Sequence, residues 1–214
     1  MTKHRYDREA TRRELIASAR AQFAKHGYTA TRTEEIARLT GLTRGALYHH
    51  FSDKKGIFRA VLEGLQDDLT GEVIQRAREI DSGSIERLRA GFHAYLDLAL
   101  RNDVRQILYI DGPAVLGWED WRAIDLQHAF RITQVAIERA ISDGEIEPVP
   151  IEGLTHVLLG ALTHASLEVG RASEPVVARE VYREVMDFML DKLKGADPDN
   201  YDCFCLTHCF ISRN

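Results

Sequence analysis

Thr43, Arg44, Gly45, Ala46, Tyr48 and His49 gather two hydroxyls, a guanidinium and an imidazole among small residues, with no carboxylate in the stretch. Such groups suit a surface of phosphates and base edges, because phosphate oxygens take charged and hydroxyl donors and a guanidinium can pair with guanine through two hydrogen bonds. To point outward together they need a helix whose inner side is apolar, and Leu47 and Phe51 supply that side. Thr43 is expected to cap this helix. Gly41 stands where the chain must turn sharply, a conformation glycine adopts cheaply. Before it, Thr31 with Glu34 fits a capping box, and Ile36 with Leu39 gives a preceding helix its apolar side. The arrangement is a helix-turn-helix.

Charge is partitioned in the same sense. Residues 1–59 hold 13 Lys and Arg against 6 Asp and Glu, a net of +7, whereas the remainder holds 15 against 27, a net of −12. The basic excess coincides with the helix-turn-helix and reads as an electrostatic footprint for nucleic acid. The acidic remainder disfavours wrapping of a polyanion around the whole molecule. The 214 residues, 44% of them hydrophobic, suffice for a sizeable core. The chain has no apolar run of the ~18–20 residues that span a bilayer, so no membrane partner is expected. The first residues lack the apolar stretch of a secretory signal, and a cytoplasmic location is expected. All three cysteines fall in the last dozen residues, so disulfides do not frame the main fold.

Helical period runs through almost every long segment. Asp7–His26 carries Leu15, Ala19 and Phe23 and stops at Gly27. Ser52 is expected to cap a long fourth helix reaching about Ile80. Further helices are predicted over about 84–101, 103–110, 119–142, 151–171 and 175–194, with breaks at Asp111-Gly-Pro113 and at Asp143-Gly144. The fold class is all-α, about nine helices, with no convincing β-strand: a three-helix DNA-binding domain over 1–52, a larger helical effector-binding and dimerisation domain over 53–194, and a flexible tail over 195–214.

The segment Phe23–Phe58, FAKHGYTATRTEEIARLTGLTRGALYHHFSDKKGIF, resembles the signature of TetR-family transcriptional regulators, in its F-x-x-x-G-Y, T-x-x-I-A, glycine turn and T-R-G-x-L-Y-x-H-F elements. The resemblance covers the first quarter of the chain closely; beyond it only helix number, order and length agree. It implies that Thr43, Arg44, Gly45 and Ala46 face the major groove, with Arg44 reading a base. It also implies that Tyr48 and His49 meet phosphates or a thymine methyl, and that Lys54 meets the backbone. Arg32 replaces a small hydroxyl residue common at its position in the family, which moves the cap to Thr31 and adds a phosphate contact. The competing reading makes Tyr48 partly a core ring and Lys54 a solvated charge.

The resemblance further implies a homodimer formed by the C-terminal helices and a small-molecule pocket among them, acting on a double-stranded DNA operator. Two recognition helices related by a two-fold axis read a palindrome, which one helix cannot. Gly153, Gly160, Ala161 and Ala165 permit close packing of the last two helices, and Leu158, Leu162, Val181, Val185, Phe188 and Met189 supply apolar area. Trp121, Asp125 and His128 share a helix face that His93, Tyr95, Tyr109, Trp118 and His164 could join around an effector of unknown identity. Aromatics at helical spacing more often fill cores, so both readings stand. No cofactor is expected. A metal- or thiol-responsive alternative rests on Cys203, Cys205, His208 and Cys209, soft ligands whose spacing matches no closed structural site. An all-α enzyme is the other alternative, but no phosphate loop or nucleophile elbow supports it.

Overall fold

A computed structural model describes residues 2–194, with side chains from residue 8. Its order is α1 (Thr2–Ala30), α2 (Thr33–Leu39), α3 (Arg44–His50), α4 (Lys54–Arg78), α5 (Ser84–Leu98), a π-helical segment (Val104–Asp111), α6 (Gly112–Leu116), α7 (Trp118–Ser142), α8 (Ile151–Arg171) and α9 (Pro175–Asp191). Among the described residues there are nine α-helices and no strand; the one isolated β-bridge joins Ile146 and Lys194. Residues 195–214, expected as a tail, lie outside the described residues.

Leu15, Ala19 and Phe23 are fully buried, as the four-residue spacing of α1 predicts. The helix breaks at Gly27, whose φ of 74° leaves the helical region. Phe23 and Tyr28 both pack edge-on against Phe58, with ring centroids 5.2 Å apart in each case, fastening α1 to α4.

Three caps and breaks differ from the sequence reading. Thr31 does not cap α2: its hydroxyl donates to the carbonyls of Gly27 at 2.8 Å and Gln22 at 3.2 Å, closing the end of α1. The N-cap of α2 is Arg32, without a side-chain cap, and the buried side is Ile36 and Ala37 while Leu39 is exposed. At α4 the cap is Asp53 rather than Ser52, its carboxylate accepting from the Gly56 amide at 2.6 Å. Asp111-Gly-Pro113 is not a break. Pro113 sits in the first turn of α6, where its missing N–H has no helical partner to lose, and the chain turns instead at Gly117.

The body packs α4 on α5, α5 on α7, α7 on α8, and α9 across α5 and α8. Trp121 is its largest fully buried side chain, and its indole Nε1 donates to the Leu108 carbonyl at 2.8 Å. The ring of Tyr109 lies so close to Gly170 that a Cβ there would stand 2.8 Å from Cδ2. The N-terminal helices are clamped to this body by polar contacts. Arg20 bridges Asp68 on α4 and Asp103 beside the π segment, and Asn102 donates to the Ala24 carbonyl at 3.0 Å.

Candidate nucleic-acid interface and interior cavity

Gly41 turns the chain between α2 and α3 with φ 69°, in the left-handed region. Thr43 caps α3 as expected, accepting from the Ala46 amide at 3.2 Å. Leu47 is fully buried and Phe51 nearly so, which fixes the roll of this short helix. Thr43, Arg44, Gly45 and His49 are left exposed, and Ala46 and Tyr48 half-buried. The Tyr48 hydroxyl lies 3.1 Å from Thr33 Oγ1, so the ring serves both the packing of α2 on α3 and the rim of the outer face.

The face is not wholly free of acid. Glu34 reaches across from α2 to pair with Arg44 at 2.9 Å, while the guanidinium lies 5.4 Å from the Tyr48 ring centroid. Arg32 is exposed beside it. Lys54 turns partly inward: its ammonium stands 4.3 Å from the Tyr28 ring centroid and 3.4 Å from the Thr29 carbonyl. Burial lowers its pKa, against the opposing pull of Asp111. The sequence reading passed over Arg12, which stacks on Phe51 at 5.1 Å and extends the basic surface past the end of α3. Next to it, burial first, then Arg8, His49 and Arg12, depress the His50 pKa and favour its neutral form.

A cavity of about 500 Å³, partly open to solvent, lies between α4, α5, α7 and α8. Of the eight residues expected around an effector, Asp125 and Tyr95 line it. The others stand elsewhere. Trp121 and Tyr109 are buried in packing, and Trp118 is 53% exposed and leans on Trp121. His93 faces Asp187 of α9 at 2.7 Å, and His164 is exposed. The nitrogens of His128 face the Ile124 carbonyl at 2.8 Å and Asp67 at 3.1 Å.

Asp125 organises one end of the cavity. One oxygen accepts from Gln66 at 3.1 Å and Tyr95 at 3.0 Å, the other from Arg122 at 2.6 Å and Thr163 at 2.9 Å. The four donors come from α4, α5, α7 and α8, so a single carboxylate ties all four walls. Burial, then the nearby Asp125 charge, holds the Tyr95 hydroxyl well above the usual phenol range, keeping it a neutral donor. Polar residues that surround a void from four helices leave little periodic trace, which is why Gln66 and Thr163 escaped the sequence reading. Among the described residues no three His, Cys, Asp or Glu side chains gather as a metal site, and Cys203, Cys205, His208 and Cys209 lie outside them. No described helix is long and apolar enough to cross a membrane.

A capped helix with an exposed cationic face, carried by a helical body with an interior cavity, defines a helix-turn-helix transcriptional regulator. The family described as "Bacterial regulatory proteins, tetR family" matches residues 15–61, and "Tetracyclin repressor-like, C-terminal domain" matches residues 85–193. The chain is 31% identical over 150 residues to the HTH-type transcriptional repressor AcnR of Corynebacterium efficiens, covering 67% of this chain and 73% of that protein. It is 25% identical over 166 residues to the Transposon Tn10 TetC protein of Escherichia coli, covering 78% and 83%. The crystal structure of a TetR-family transcriptional regulator from Pectobacterium atrosepticum aligns with a TM-score of 0.81 at 28% identity, over 89% of this chain and 97% of that one. The chain belongs to the TetR family of DNA-binding transcriptional regulators, and it is not an enzyme.

Proposed function

We propose that this regulator represses transcription in the cytoplasm by binding a palindromic operator as a homodimer, and that a small molecule entering the interior cavity releases it. Residues 1–52 form the DNA-binding unit in this reading and residues 53–194 the effector-binding and dimerisation unit. Arg44 reads a base, Thr43, Gly45 and Ala46 approach the major groove, and Arg32, Tyr48, His49 and Lys54 serve the phosphates or a thymine methyl. Lys54 must swing off the Tyr28 ring to reach DNA.

The observation that carries the release mechanism is the course of α4. It starts at the cap beside α3, and a little over three turns later Gln66 enters the hydrogen-bond cluster on Asp125. An occupant that displaces Gln66 therefore tilts the helix on which the recognition helices ride, changing their separation between two copies. Dimerisation is supported by α8 and α9, which leave Val157, Val177, Val181, Val185 and Phe188 exposed. On α9 these recur at helical spacing, forming an apolar stripe that a second copy would cover. The small residues Gly153 and Gly160 of α8 also stand away from the interior, with no side chain crowding them.

Selection of bound sequences from random DNA, with sedimentation of the protein at micromolar concentration, tests the reading. A two-fold symmetric site and a dimer are expected. A monomer, or an enriched sequence lacking symmetry, would overturn it.

A further inference from the structure

The cavity is unevenly charged, and the unevenness points to the chemistry of its occupant. Its inner end is the Asp125 cluster, where the carboxylate already accepts four hydrogen bonds and asks nothing more of a ligand. Its other end is lined by Arg78, Arg87 and Arg139. They stand in the last turn of α4, the first turn of α5 and the last turn of α7, so three helices present them at the same end of the bundle. At 1.5 Å per residue, Arg87 lies roughly 12 Å along α5 from Tyr95, and Arg78 roughly 18 Å along α4 from Gln66. The walls between are apolar, with Val73, Phe92, Ile132 and Leu159 among them.

Several arginines of the body are charge-compensated. Arg89, Arg101, Arg122, Arg179 and Arg183 each hold a carboxylate. Among the described residues Arg78 and Arg139 have no such partner, and Arg87 donates only to the Ile80 carbonyl, at 3.1 Å. Two carboxylates near that end are engaged elsewhere: Glu145 accepts from the Ser84 and Ile85 amides at 2.8 and 2.7 Å, and Asp143 accepts from the Ser84 hydroxyl at 2.6 Å. In an acidic domain, a cavity rim with three uncompensated guanidinium groups is a place for an anion.

We propose that the effector is an elongated apolar molecule bearing one anionic group, its anion held by Arg78, Arg87 and Arg139 and its apolar part pointing toward Asp125. The proposal rests on the reading of this cavity as the effector site. The orientation follows from charge, since the inner carboxylate is already paired with Arg122 and its donors are taken, leaving an anion no partner there, whereas the rim attracts it. A carboxylate and a phosphate share the required chemistry.

Calorimetric titration of the full-length protein with dodecanoate, dodecyl phosphate, dodecanol and dodecylamine tests the class. At least one anion should bind about tenfold more tightly than dodecanol, and dodecylammonium most weakly. The tighter of dodecanoate and dodecyl phosphate identifies the source of the charge. The R87A/R139A variant should lose the anion's advantage while keeping its dodecanol affinity and its melting temperature. Equal binding of dodecanol and the anions, an advantage that survives R87A/R139A, or no binding of any probe would overturn the proposal. Ala129→Phe, which fills the cavity, should weaken every probe. Unchanged binding in that variant would instead overturn the reading of the cavity as the effector site.

Discussion

The amide of Tyr28 donates to a carboxylate oxygen of Asp111 at 2.7 Å, hanging the end of α1 on the residue that closes the π-helical segment. Gln106 donates to the same oxygen at 3.0 Å. The DNA-binding helices are thus joined to the body by a second route besides the continuous chain of α4. Through the Trp121 indole on the Leu108 carbonyl, that route runs back to α7, the helix bearing Asp125.

Removing the acceptor isolates this joint. Asp111→Ala leaves the part-buried Tyr28 amide without its partner and should cost about 1–3 kcal/mol of stability. Asp111→Asn keeps one oxygen and should recover much of the loss. Denaturant titration of the two variants checks the order.

Arg44 and Glu34 offer a test on the DNA side. Arg44→Ala should lower specific operator affinity by about 1–3 kcal/mol, the worth of a bidentate base contact, and leave oligomeric state unchanged. Glu34→Gln removes an acid that must release Arg44 and stand near phosphates, so it should tighten DNA binding. Fluorescence anisotropy at two salt concentrations measures both effects. A dimer that falls apart on Arg44→Ala would show that the recognition face had been misassigned.

Asp103 gives a pH signature. Burial would raise its pKa, but hydrogen bonds and charge from Arg101 and Arg20 outweigh burial and hold it below the ordinary 3.8. A carboxyl depressed in the folded state contributes its full stabilisation above the unfolded value, and loses it as pH falls through the lower folded value. The melting temperature should therefore fall as pH drops below about 3.8, and Asp103→Asn should flatten that part of the fall. Melting curves recorded between neutral pH and strong acid make the comparison.

The α9 stripe should fail when charged. Phe188 is 62% exposed and Val181 53%, so Phe188→Glu or Val181→Glu costs the protomer little. In a dimer the same change buries a carboxylate. Sedimentation should show dissociation toward monomer, together with loss of operator affinity at low protein concentration.

Much of this was legible in the residues because the information is local. The Gly41 turn, the Thr43 cap and the buried Leu47 and Phe51 depend on neighbours a few positions away, and all stand as the pattern indicates. Thr31 was misread because its hydroxyl had two carbonyls of α1 within reach, a competition visible only once α1 had broken at Gly27. Pro113 was misread because a proline within a helix and one at its first turn look the same without knowing where the helix begins. The cavity was the least legible element. Trp121 and Asp125 share a face of α7, yet one fills the packing beneath the π segment and the other borders the void, a distinction set by neighbours far away in sequence.

The separation of charge between a cationic amino-terminal quarter and an anionic remainder makes the molecule an electrical dipole. A duplex would therefore exert torque on it before any atoms touch, turning the basic end forward and the acidic body away. A larger fraction of encounters then begins in a usable orientation, and added salt should slow arrival as well as weaken residence.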